Sequence, residues 1–440
     1  MKNKLEVVAR VLFYSMLVAA PFGTRYIFAM AELGGVEIEP GTFSLFGTQI
    51  LALLFLLAAL FSGRFRQLTR LCWWAMGGAT LVFCAAMMSV SLSGDARGLV
   101  MLNWLFFSVG ILAATYKIRP SLSKSLAVLS VGGVVQALFS IWQFVAQGVT
   151  PSKWLGMAAH LPEVAGTFVV ETAAGRWLRA YGTLPHPNML GIYLAVAALA
   201  SLYLSVSLRG RWRGAALSAL ALNVVGLTLS MSRSAILAFV IALAIFVSLS
   251  FLLRHSGPKE WRLVIGAVGV AMLTLVASLA LLRDPATVRL LGRGRLEKIS
   301  VESRFNQLDD VRLLLADSHI FGIGPGMMPF ALYERDRNRS PWDYQPAHMT
   351  PLLLLVEIGA LGALAYLMYI GGIFAQMIAT LKRGIGFDEA ALYSSFIAII
   401  VTGLFDHFPW SSWFGQLLTV LLAGLILSVA VRQTPNNTVQ

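Results

Sequence analysis

Ser234-Ala-Ile-Leu-Ala-Phe-Val-Ile-Ala-Leu-Ala-Ile-Phe-Val-Ser-Leu-Ser-Phe-Leu-Leu253 carries no charge along its length and is bounded by Arg233 and Arg254. A hydrocarbon core about 30 Å thick is crossed by roughly 20 helical residues, so this run predicts a membrane-spanning helix. Comparable runs lie at 8–28, 44–63, 72–92, 99–116, 125–146, 188–207, 214–230, 263–282, 349–373, 389–405 and 412–431, which makes twelve predicted spans. Of the 440 residues, 58% are hydrophobic and 12% charged, and the mean hydropathy is +0.75, far from the balance of a soluble domain. The expectation is one all-α polytopic membrane domain over 1–440.

The net charge of +13 would fit a nucleic-acid binder, but in a membrane protein the same excess arises from the positive-inside bias, so position decides. Alternate connections carry Lys2, Lys4 and Arg10, then Arg64, Arg66 and Arg70, then Lys117, Arg119 and Lys124. The series continues with Arg209, Arg211 and Arg213, with Arg254, Lys259 and Arg262, and with Lys382 and Arg383, and Arg432 follows the last span. The intervening connections differ: 29–43 has Glu32, Glu37 and Glu39 without a basic residue. Both termini are therefore expected in the cytoplasm. The charged opening resembles that of a signal peptide, but without a convincing small-residue cleavage site the first helix is expected to stay uncleaved. Cys72 and Cys84 share one apolar run and suggest neither a disulfide framework nor a zinc site.

Two outward connections are long, 147–187 and 283–348, the second rich in charge of both signs, and they are where function is expected. In the first, Arg179-Ala-Tyr-Gly-Thr-Leu-Pro-His-Pro-Asn-Met-Leu-Gly191 leads into a helix that Asn188 is placed to cap. Arg179 and the helix dipole would favour an anion there, while a plain turn with a solvated His186 is the simpler alternative. Ser230-Met-Ser-Arg-Ser234 puts Arg233 at the outer hydrocarbon boundary, where it either finds a partner or reaches to lipid headgroups. A helix near Glu302 to Asp317, with Phe305, Leu308, Leu313 and Leu314 toward the bundle, would hold Arg304 in its first turn. There Arg304 opposes the dipole, unless Glu302 or Asp309 pairs with it. His319-Ile-Phe-Gly-Ile-Gly-Pro-Gly326 matches no nucleotide-binding fingerprint and reads as a turn or a close-approach wall. His348 opens the late span at its outer end, and Glu357 lies within that span as an intramembrane acid. Asp406-His-Phe-Pro-Trp-Ser-Ser-Trp413 adds an acid, a histidine and interfacial tryptophans.

In order and spacing, four of these motifs resemble the O-antigen ligase and polymerase superfamily: Gly182-Thr-Leu-Pro-His-Pro-Asn-Met-Leu-Gly191, Ser232-Arg-Ser234, the Arg304 helix followed by the glycine-rich turn, and the His348 to Gly359 opening. The likeness covers roughly Arg179 to Gly362. It implies a GT-C-like bundle of the bacterial inner membrane with a helical periplasmic loop between helices nine and ten and a periplasmic active site. It further implies transfer of a glycan from undecaprenyl pyrophosphate without a cofactor or metal and with inversion at the anomeric carbon. Arg233 and Arg304 would bind pyrophosphate and His348 would be the catalytic histidine. Arg179, His186, Asn188, His319 and Glu357 are the further candidate binding residues. Relatives often carry Asn beside the catalytic His, whereas Met349 and Thr350 follow His348 here. The acceptor would be lipid A-core for a ligase or a second lipid-linked glycan for a polymerase. A transporter of lipid-linked substrate is the competing class, for which charged or broken helices at the midplane are expected.

Overall fold

A computed structural model describes residues 2–63, 68–252, 257–316 and 320–429. Arg64, Arg66, Arg254, Asp317, His319 and Arg432, all used above, lie outside the described residues.

The chain opens with α1 (Lys2–Ala19), then the antiparallel hairpin β1 (Arg25–Leu33) and β2 (Val36–Phe46). This corrects the reading of 8–28 as one helix. Pro21 and Gly23 interrupt it, and Gly34 and Gly35, both at positive φ, supply the two-residue turn that closes a hairpin. There follow α2 (Gly47–Phe61), α3 (Arg70–Ser93), α4 (Leu99–Ile118) and α5 (Leu122–Ala146). A second hairpin, β3 (Val169–Thr172) and β4 (Gly175–Leu178), sits in the long connection before α6 (Pro187–Ser207), α7 (Arg211–Leu229), α8 (Arg233–Phe251) and α9 (Pro258–Leu281). The next connection is helical, with α10 (Arg283–Leu291), α11 (Arg295–Leu315) and α12 (Met328–Arg335). The chain continues through α13 (Thr350–Leu381), α14 (Phe387–Gly403), α15 (Phe408–Ser411) and α16 (Trp413–Val429).

Each predicted apolar run falls on a helix, the first of them only over 8–19. Eight helices among the described residues, α3 to α9 and α13, are long and apolar enough to cross a membrane, so the chain is mostly helical and has the make-up of a multi-pass membrane protein. The other four runs fall on α1, α2, α14 and α16, which are shorter or more charged, so the twelve-span count remains an expectation. Nearly every residue of α6 is buried, and it forms a central pillar against α5, α7, α8 and α14. Small residues let helices approach closely: a Cβ at Gly78 of α3 would strike the backbone of Tyr369 in α13, and one at Gly372 would strike Ala75.

The start of α6, the end of α7, the starts of α8 and α13, and the end of α14 meet at one end of the bundle. Arg179 there bonds the carbonyl of Ser230, Asn188 bonds Asp406, and Thr350 bonds the carbonyl of Asp406. Arg211, Arg213, Lys259, Arg262, Lys382 and Arg383 lie at the opposite helix ends.

Candidate functional site

The connection between β4 and α6 is pinned from below by α5. Gln143 Oε1 accepts from the amides of Tyr181 and Gly182, and its Nε2 donates to the Gly182 carbonyl, while Gln136 holds Thr183. This fixes Arg179, whose Nε donates to the Ser230 carbonyl at 3.0 Å and whose terminal nitrogen donates to Asn188 Oδ1 at 2.6 Å. Burial, with Arg289 nearby, pulls its pKa well below the arginine norm. Asn188 does not cap α6 as expected. His186 does, its Nδ1 accepting from the Asn188 amide at 2.9 Å. Asn188 then sits in the first turn with its side chain free to bridge Arg179 and Asp406, donating to Asp406 Oδ2 at 2.6 Å. His186 is not the solvated side chain of the simpler reading: it lies edge-on to Phe168, and burial pushes its pKa down to about 3.

Across the opening, Arg233 begins α8 with Ser232 as its cap, the Ser232 hydroxyl accepting from Ala235 N. Arg233 does not reach out to lipid: it lies 3.7 Å from the carboxylate of Glu297. Glu297, 1% exposed in the first turn of α11, also pairs with Arg289 of α10, whose Nε donates to the Met231 carbonyl. One Glu297 oxygen takes both guanidiniums and the other is buried without a hydrogen-bond partner among the described residues. Arg304 faces the same space and feels Asp406, Arg233 and Glu297, and its buried Nε has no partner among the described residues. Burial first, and then Arg233, lower its pKa. The dipole argument for Arg304 fails, because α11 begins at Arg295 and Arg304 lies well inside it. Asp309 pairs with Arg312 instead. The inner face of α11 is also not the expected one: Glu297, Gln307, Asp310, Val311 and Leu314 are buried, whereas Phe305 and Leu313 are exposed.

His348 stands between these groups and the turn before α15. The backbone N–H of His348 donates to Gln307 Oε1 at 3.0 Å, and His348 Nδ1 lies 3.0 Å from the same oxygen. That oxygen can only accept, so Nδ1 carries the proton and Nε2 presents its lone pair. Burial, with His407 and Arg304 nearby, pushes the His348 pKa down to about 4, which leaves the ring neutral. The His407 ring lies 5.1 Å away at 84°, and burial lowers its pKa as well. Burial alone would raise Asp406, but the surrounding imidazoles and the Asn188 amide outweigh it and keep the carboxyl ionised. Four guanidiniums, Arg179, Arg233, Arg289 and Arg304, thus share one neighbourhood with two carboxylates, Glu297 and Asp406.

Glu357 is not in this group. It is fully buried within α13 and accepts from Trp410 Nε1 at 2.7 Å. At Gly359, φ +67, α13 breaks, and the freed carbonyls of Val356 and Glu357 accept from the amides of Ile323 and Gly324. The glycine-rich segment is therefore a strap laid against the broken helix. His319, at its start, lies outside the described residues. The site thus joins Arg179, His186, Asn188, Arg233, Arg304 and His348, and adds Arg289, Glu297 and Gln307, which no sequence signal marked within a segment dense in charge and amide.

Residues 218–367, about a third of the chain, match the family model described as O-antigen ligase. No curated protein matches the chain. The matched stretch runs from α7 to the middle of α13 and contains Arg233, Arg289, Glu297, Arg304, Gln307 and His348. Over that stretch the chain is similar to the O-antigen ligase family.

Proposed function

We propose that the chain is an inner-membrane glycosyltransferase, which moves a glycan from a polyprenyl-pyrophosphate donor, undecaprenyl pyrophosphate by family likeness, to an acceptor hydroxyl at the periplasmic face. The observation that carries this reading is the imbalance at the site: four guanidiniums face two carboxylates beside neutral imidazoles, which leaves two positive charges for a dianionic group. Arginine forks suit phosphoryl oxygens through paired contacts. The unpartnered Nε of Arg304 is a donor held ready for such an oxygen.

In this reading the pyrophosphate sits among Arg233, Arg289 and Arg304. The acceptor oxygen attacks the anomeric carbon from the face opposite the pyrophosphate and forms the new glycosidic bond. The bond from that carbon to the pyrophosphate oxygen breaks, its electron pair leaves with the pyrophosphate, and configuration inverts. His348 Nε2 takes the acceptor proton. Gln307 is a positioning residue, because it fixes which nitrogen of His348 is basic. The guanidiniums compensate the leaving group's charge, so the mechanism calls for no metal. The proposed topology has two periplasmic loops, 147–187 and 283–348, with both termini in the cytoplasm, and the basic residues at the opposite helix ends agree with it.

We favour ligation onto lipid A-core over polymerisation onto a second lipid-linked glycan, and one experiment separates them. Purified protein in lipid nanodiscs is given an undecaprenyl-pyrophosphate glycan with lipid A-core, or donor alone. A product with the mass of glycan plus lipid A-core supports ligation, and a dimerised donor glycan supports polymerisation. No product with either refutes glycan transfer.

A further inference from the structure

A second cavity, of about 490 Å³, opens on the side of α11 that bears Glu302, Ser303 and Asn306, bounded by Asp343 of the Pro341–Asp343 turn. It is sized for a small ligand, and its walls are mostly polar side chains. Gln307 ties it to the active site, and Trp342 stands beside it. Gln307 lines it while 5% exposed, and its Oε1 is committed to His348, so its Nε2, with no protein partner among the described residues, is left for the cavity. Trp342, 72% exposed, stands on the turn next to Asp343.

Charge decides what the cavity takes. Its basic wall residue, Arg339, is already held by Asp310 at 2.8 Å and by Asp336 at 3.2 Å. Asp309 is likewise held by Arg312, and Glu302 and Asp343 therefore leave the cavity net negative, opposite in sign to the arginine cluster around Arg304. Carboxylates accept from hydroxyls, and Ser303, Asn306 and Gln307 offer further polar contacts. An exposed indole offers a flat apolar face for a pyranose ring.

We propose that this cavity is an acceptor-chain subsite and binds an uncharged, hydroxyl-rich sugar set back from the reacting one, with Gln307 between that sugar and His348. Resting on the transfer reading above, it specifies an acceptor glycan that carries a sugar without phosphate or carboxylate next to its reacting end. Donor pyrophosphate and this acceptor sugar are thereby sorted by charge to the two faces of α11.

The test uses full-length protein in lipid nanodiscs with maltose and glucose 6-phosphate as probes, read by saturation-transfer NMR. Maltose should receive saturation and glucose 6-phosphate should receive much less. The surface variant Glu302→Ala/Asp343→Ala should weaken maltose binding about tenfold, as expected for lost charge-assisted hydrogen bonds, while Arg304→Gln should leave it unchanged. Equal maltose binding by the double variant, or equal binding of the two probes, overturns the assignment. In a transfer assay the double variant should raise the acceptor KM and spare the donor KM. Absence of transfer by the wild type would defeat the catalytic reading alone, since the maltose result is read without turnover.

Discussion

Arg304→Gln separates a residue kept for a ligand from one kept for the fold. Among the described residues the wild-type side chain forms no direct ion pair and its Nε is buried without a partner, while it feels attraction to Asp406 and Glu297 and repulsion from Arg233. Removing it therefore breaks no direct ion pair, and the relieved desolvation cost and like-charge contact offset the lost attraction. Thermal stability should be unchanged or higher. The ligand side runs the other way: a charge-assisted hydrogen bond is worth about 1.5–3 kcal/mol, so pyrophosphate affinity should fall roughly 10- to 150-fold. Calorimetric titration of inorganic pyrophosphate into nanodisc-embedded protein, beside a melting curve from intrinsic fluorescence, reads both quantities. Added salt should weaken wild-type binding more steeply than that of the variant, because fewer charges remain to be screened. A variant that melts several degrees lower and binds pyrophosphate as the wild type does would refute the reasoning and make Arg304 a structural residue.

Glu297→Gln should do the opposite, destabilising by about 3–5 kcal/mol because it leaves Arg233 and Arg289 buried or half-buried without their anion; chemical denaturation measures it. The pKa of His348 is held near 4 and that of His186 near 3, both below the unfolded value of about 6.5, so the unfolded chain binds more protons as pH drops. Stability from these two groups is accordingly full above pH 6.5 and is lost on the way down toward pH 4, by on the order of 2 kcal/mol per histidine at pH 5; melting curves between pH 7 and pH 4.5 test the sign. For the same reason the acid limb of the transfer rate should fall near pH 4, and a limb near 6.5 in single-turnover measurements would exclude a neutral-held His348 as the base. Gln307→Leu removes the acceptor of both His348 protons and should slow transfer at least about tenfold, while Gln307→Glu should restore much of the rate and move the acid limb upward, a response that a merely structural side chain would not give. Gly359→Ala places a Cβ at positive φ against the Ile320 carbonyl, and it should cost about 2 kcal/mol or more of stability by displacing the glycine-rich strap.

Legibility followed locality. The helix at 234–253 and its companions could be read because partitioning into lipid depends on the residues of one segment. The turn at Ser230–Ser234 could be read because adjacent helices must be joined. Arg233 and His348 stood out as polar groups at apolar boundaries, whereas Arg304 was marked by a first-turn placement that the longer helix does not keep and by the family likeness. The hairpin Arg25–Phe46 was missed because its apolar strand, Tyr26-Ile-Phe-Ala-Met30, follows the helix after only Thr24 and Arg25 as polar residues, and hydropathy does not register the break at Pro21 and Gly23. The cap of α6 was misassigned because His and Asn at neighbouring positions can each accept from a first-turn amide, and Asp406 decides between them by engaging Asn188.

By its own composition and charge pattern, then, the sequence determined a polytopic helical protein with polar groups gathered at one end, since hydropathy and charge act through the residues that carry them. Tertiary structure decided which of those groups meet. Asn188 reaches Asp406 across 218 residues, Gln307 sets the proton on His348 across 41, and Glu297 draws Arg233 and Arg289 together while Arg304 stays unpaired. Electrostatic and hydrogen-bond energies depend on separations of a few ångströms between distant segments, and only the packed helices set those separations.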